Sequence, residues 1–186
     1  MDTIPNHAII EFEVYLLMTM KIRLVSRQPA LEAKLSEFGL SVDDAQRVHS
    51  RVAKSLGGEF SRLDNMKGFL GVSKDSDSLT YASVLWPEFN FSAITGESGQ
   101  LESARYVRVR GDFPSGDSPM ELPSWSADVT EFTEHFGPMA NSRRWPLFDR
   151  VLPGYEECEF VWNEERYGAG FSWGLFLYAA KYWPED

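Results

Sequence analysis

Hydrophobic and polar positions change their period several times along this chain, and each change marks an element. Between residues 9 and 17 they nearly alternate, with Ile10, Phe12, Val14 and Leu16 on one side and Glu11, Glu13 and Tyr15 on the other. A period of two predicts a strand. From 19 to 25 the alternation is cleaner, with Met20, Ile22 and Leu24 facing away from Thr19, Lys21 and Arg23. No turn residue separates the runs. They read as one long bent strand or, alternatively, the part before Met18 or Met20 is a weakly ordered extension from an early start codon.

The period then lengthens. Pro29 suits the first position of a helix, Leu31, Leu35 and Phe38 follow at helical spacing, and Gly39 stops it. Ser41 opens a second helix with Asp44 as a partial capping box, and Val42, Ala45, Val48, Val52 and Leu56 form its stripe up to Gly57 and Gly58. This stripe is expected to pack against a sheet containing Met20, Ile22 and Leu24. After an irregular section, 79–86 and 104–110 read as strands with a third at 89–94, and GESGQ at 96–100 has hairpin chemistry. Three prolines and two glycines make 111–124 a loop. A capped helix follows at 126–136 and a shorter one at 142–152, interrupted at Pro146. Strands return at 155–162 and from 171 to about 183, although apolar residues on both faces of GLFLYAAKYW also admit a helix.

Strands and helices segregate rather than alternate, which predicts the α+β class. The expected architecture is a single domain over 1–186, with a mostly antiparallel sheet, helices packed on one face, and loop 111–124 as the only candidate internal boundary. A length of 186 residues supports one proper core, and 43% apolar with 25% charged residues excludes wholesale disorder.

The net charge is −10, and residues 121–186 carry five basic against twelve acidic side chains. Such a field disfavours nucleic acid and anionic membranes and attracts a basic partner, although solubility alone also accounts for acidity. The single cysteine, Cys158, forms no internal disulfide and fits a reducing, cytoplasmic setting. The run HAIIEFEVYLLMTM is broken by Glu11 and Glu13 and reads as neither signal peptide nor membrane span.

Candidate chemistry is sparse. His7 lies near a terminus, His49 borders the stripe of the second helix, and His135 has Glu131 one turn before it, which is too few ligands for a metal. Cys158 alternates with Phe160 and Trp162 and reads as a buried, inert thiol. GVSKDSDS at 71–78 lacks the ligands of a calcium loop. In RYVRVR, which begins at Arg105, one face carries Tyr106, Arg108 and Arg110. They suit either an anion or, more simply, neighbouring Glu side chains.

The densest cluster is EECEFVWNEERYGAG at 156–170. Read as a strand end, it points Tyr155, Glu157, Glu159 and Val161 outward and Cys158, Phe160 and Trp162 inward, before a tip of Glu164, Glu165, Arg166 and Tyr167 and a turn at Gly168 and Gly170. Its acids do not face each other across a cleft as glycosidase carboxylates do. The segment is therefore a solvated hairpin or a partner-binding face. The second reading assigns the contact to Glu156, Glu157, Glu159, Trp162, Glu164, Glu165, Arg166 and Tyr167, with Trp162 and Tyr167 as anchors.

Small, acidic, aromatic-rich and α+β, the chain resembles as a class the stand-alone immunity proteins encoded beside bacterial toxins. EECEFVWNEERY is the kind of surface such inhibitors use. The resemblance implies a cytoplasmic, non-catalytic protein without cofactor or metal that binds a cognate toxin, often a nuclease with a basic groove, and covers its active site. Two other readings stand. One is a phage-encoded inhibitor of a host nucleic-acid-binding defence complex; the other is a small enzyme or ligand-binding domain using the face between Arg105 and Arg110, with the Pro/Gly loop as a lid.

Overall fold

The computed structural model describes residues 4–20, 28–57, 63–146 and 153–181, and the first of these segments corrects the sequence reading. The run at 9–17 is not a strand but part of helix α1, Asn6–Thr19. Phe12, Glu13, Val14, Tyr15, Leu16 and Leu17 are all buried in succession. A helix enclosed on every side needs no polar stripe, so it leaves no helical period to read. The apparent alternation came from two glutamates with different roles. Glu11 pairs with Arg51 at 2.6 Å, whereas Glu13 is fully buried.

Helix α2 spans Gln28–Ser36, and α3 spans Val42–Leu56 behind a complete capping box between Ser41 and Asp44. The α3 stripe packs on α1 rather than on a sheet. Val52 and Leu56 are buried, Val42 and Val48 are partly buried, and His49 stacks on Tyr15 at 5.1 Å. The expected sheet partners do not form that surface: Met20 is buried at the end of α1, while Ile22 and Leu24 lie outside the described residues, as does the rest of the strand expected after Met20. A further short helix, α4, Leu63–Leu70, occupies the stretch read as irregular. It buries Leu63, Met66 and Leu70 and also Lys67, whose ammonium donates to Ser76.

Three strands, β1 Ser78–Ala82, β2 Phe89–Thr95 and β3 Leu101–Arg108, form an antiparallel sheet in chain order. Its inner face meets α1, where Phe12 lies edge-on to Phe91 at 5.8 Å. The expected strand at 79–86 stops at Ala82 because the following residues turn back to receive Glu13. The Glu13 carboxylate accepts from the backbone N–H of Val84 (2.9 Å) and Leu85 (2.8 Å) and from the Tyr106 hydroxyl (3.2 Å).

Helix α5, Val129–Phe136, starts at Asp128 with a second capping box, closed by Glu131. Four strands follow in order: β4 Ala140–Pro146, β5 Pro153–Trp162, β6 Glu165–Ser172 and β7 Leu175–Lys181. The antiparallel expectation holds, but pairing is divided between two sheets in one α+β domain. The helix expected at 142–152 is instead strand β4 as far as Pro146, with 147–152 outside the described residues. Pairing with β5 overrides local propensity there, and an edge strand tolerates bulges and a terminal proline. The ambiguous GLFLYAAKYW is strand through Lys181. The expected run from 171 is divided by a turn at Trp173 and Gly174, both with positive φ.

That turn joins the sheets. The Tyr106 N–H donates to Trp173 O at 2.8 Å, and a Cβ on Gly174 would lie 2.9 Å from Arg105 Cβ. Only glycine combines this approach with its φ of +79°.

Burial pushes the Glu13 carboxyl above its ordinary 4.5, outweighing the hydrogen bonds that favour the anion. The folded protein thus holds this proton more tightly than the unfolded chain. The contribution is full below about pH 4.5 and is lost as pH rises through the raised folded value. Glu13→Gln cannot ionise yet keeps an oxygen for the two N–H donors. In urea denaturation its stability relative to the wild type should increase as pH rises, whereas Glu13→Ala should cost about 3 kcal/mol by leaving buried donors unpaired.

Candidate functional site

The hairpin β5–β6 turns at Asn163 and Glu164, whose φ values of +49° and +65° match a two-residue hairpin turn. The tip is therefore shorter than the sequence suggested. Glu165, Arg166, Tyr167, Gly168 and Gly170 lie in strand β6, opposite Trp162, Val161, Phe160, Glu159 and Glu157 respectively. The two glycines do not turn the chain. A Cβ on Gly170 would collide with the Tyr178 ring, so the bare strand makes room for that ring from β7.

Strand alternation places Cys158 and Phe160 inward as expected, with Trp162 half-buried beside them. Trp162 packs edge-on to Phe136 at 6.0 Å. Tyr167 is the main correction: it is only 3% exposed and stacks on Phe160 at 5.5 Å within the cluster that includes Phe132, Phe171 and Phe176. Its β6 position faces α5, so it is a core ring rather than a surface anchor. Tyr155, also read as outward, is 4% exposed because its end of the sheet packs into the other cluster, beside α1 and β1–β3.

The acidic row is present but largely neutralised. Glu159 accepts from Asn141 and Arg166, each at 3.0 Å, and these contacts, Asn141 first, lower its pKa. Glu165 pairs with Lys181, and Glu156 lies 3.7 Å from Arg144. Glu157 accepts from the hydroxyls of Tyr155 (2.7 Å) and Tyr178 (2.9 Å). Among the described residues, Glu164 at the turn makes no ion pair.

On this outward face Val161 stands 61% exposed. It borders a cleft of about 310 Å³ with Pro138 and Ala140, rimmed by Glu159, Arg166 and Asn141. Sequence reasoning omitted Pro138, Ala140 and Asn141 because the region after α5 read as a link and then a helix. The available signal was the Gly137-Pro138 stop, after which an extended segment is as natural as another helix.

Of the remaining candidates Arg108 and His135 are engaged in the fold, whereas Arg105 and Arg110 are exposed. Arg108 is buried between β3 and α5, donating to Glu131 (2.6 Å), Glu88 (2.9 Å) and the Ser126 carbonyl (2.5 Å), with its guanidinium 4.6 Å from the Phe89 centroid. The glutamate partners expected for this arginine are therefore real, although they lie on a helix and a turn. His135 stacks on Phe113 at 4.3 Å, and no group of three potential metal ligands occurs among the described residues. Within those residues no helix is long and apolar enough to cross a membrane.

No protein-family model matches this sequence, and no curated protein or solved structure matches it.

The Cys158 thiol is buried and touches Ser142 at 3.1 Å; burial pushes it up to about 11. The thiolate is the reactive form, so only about one thiol in a thousand is ionised at pH 8. Labelling with a disulfide reagent should be slow in the native protein and become fast in urea. Rapid native labelling would contradict this placement.

Proposed function

We propose that this chain is a non-catalytic binding protein that neutralises a cognate, basic protein in the bacterial cytoplasm, most simply a toxin whose active site it covers. The contact face is the outward side of the β5–β6 hairpin. One observation carries this reading: Val161 is an exposed apolar knob beside a shallow cleft, ringed by the Glu159–Arg166 pair and Asn141. An apolar centre inside a polar rim is the ordinary anatomy of a protein interface.

The revised face differs from the acidic row in how it acts. Tyr167 is replaced by Val161 as the central apolar group. The net charge of −10 supplies long-range attraction for a basic partner, while local pairs such as Glu159–Arg166 set orientation. The competing use of Arg108 as an anion receptor is weakened by its three side-chain partners on β2, α5 and the turn before β2, all within the fold. A phage-encoded inhibitor of a defence complex would use the same face and differs in the identity of its partner.

Affinity capture from the native host should yield one stoichiometric basic partner. In surface-plasmon measurements with that partner, Val161→Arg should raise the dissociation rate at least tenfold. Glu159→Lys should slow association and weaken its salt dependence. Both sites are on the outward face, so melting temperatures should change little. Unchanged kinetics for both variants would place the interface elsewhere.

A further inference from the structure

A cleft lies far along the chain from the hairpin, where α2, the turn before β2 and the segment before α5 meet. Its volume is about 590 Å³, within the range of roughly 300–1,000 Å³ usual for small-molecule sites. We propose that it binds a neutral, planar aromatic small molecule bearing a hydrogen-bond acceptor.

The wall chemistry selects this class. From α2 come Ala30 and Ala33, which leave open space where larger side chains would fill it. The floor is apolar and aromatic, with Leu85, Trp86, Phe89 and Trp125 all buried. The two indole rings stand 6.0 Å apart at 52°. Flat apolar surface of this kind favours a flat apolar guest.

The charged groups of the wall already have partners. Lys34 donates to Glu37 at 2.8 Å and to the Leu85 carbonyl at 3.2 Å, and Glu88 is held by Arg108 at 2.9 Å. A charged ligand must break one of these pairs or remain uncompensated, whereas a neutral ring requires neither.

Two further observations set Trp86 and Trp125 apart. Among the described residues, each indole N–H is buried without a hydrogen-bond partner, although buried indoles normally have one and Trp173 donates to Thr19 at 2.9 Å. Both orphan donors belong to residues that line this cleft, which favours a guest that carries an acceptor. Trp125 also has φ +62°, an uncommon conformation for a residue with a side chain, held by its backbone N–H donating to Phe176 O at 2.7 Å. Such conformations persist where surrounding contacts impose them, and they cluster at ligand clamps.

The probes are 2-naphthol and quinoline, both neutral and planar with an acceptor, compared with 2-naphthoate as the anionic counterpart. Binding to the full chain is followed by tryptophan fluorescence and by NMR of the indole N–H signals. Saturable one-site binding of a neutral probe should shift the Trp86 and Trp125 signals and leave that of Trp173 unmoved. Ala33→Phe fills the cavity from an exposed helix position and should weaken binding at least tenfold without changing the melting temperature. The proposal is overturned if neither neutral probe saturates, if Ala33→Phe leaves binding intact, or if 2-naphthoate binds as tightly as 2-naphthol. Because Val161 and Glu159 are outside this cavity, variants there should bind the probes normally, which separates this site from the hairpin face.

Discussion

Glu13 is a carboxylate set inside an apolar layer, and the first half of the molecule is arranged around satisfying it. Its donors come from two places far apart in sequence, the backbone at Val84 and Leu85 and the hydroxyl of Tyr106. A buried anion or acid without such partners is costly, so α1, the turn after β1 and the strand β3 are fixed relative to one another by one side chain. The same turn forms part of the cavity wall through Leu85 and Trp86.

A second, partly buried polar assembly ties the other half to this frame. The Arg108 side chain binds Glu131 and Glu88, while its backbone N–H donates to Asp128, the residue that caps α5. Losing Glu131 would leave the Arg108 guanidinium, whose side chain is 8% exposed, short of its inner partner, so the network fixes how α5 lies on β3. The cap, the arginine and the turn at Gly174 all lie where the two sheets meet.

Much of this was legible before the structure. The Ser41–Asp44 box announced α3, and the capped helix expected at 126–136 is α5, which starts later, at Val129 behind the Asp128 cap, because cap chemistry is local. The hairpin at 96–100 and the inward set Cys158, Phe160 and Trp162 followed from turn residues and a period of two. The errors share a cause in tertiary context. Helix α1 has no polar face to give a period, β4 is a strand because β5 pairs with it, and Tyr167 is core because the turn ends at Glu164, before the residues assigned to the tip. The candidate site was located correctly in the chain but composed differently. Sequence can count carboxylates, but it does not show that Arg166, Lys181 and Asn141 return to meet them.

The four-stranded sheet leaves the outward face of its hairpin end uncovered, and its two edges explain why this is tolerable. Strand β7 is covered by the segment before α5: the Trp125 backbone N–H donates to Phe176 O, the Phe176 N–H donates to Ala127 O, and the Ser124 hydroxyl donates to the Leu177 carbonyl. Strand β4 is irregular in register, carries the exposed cations Arg143 and Arg144, and ends at Pro146. Charges, bulges and proline are the devices by which an edge refuses another strand. Both edges thereby disfavour edge-to-edge pairing with another strand.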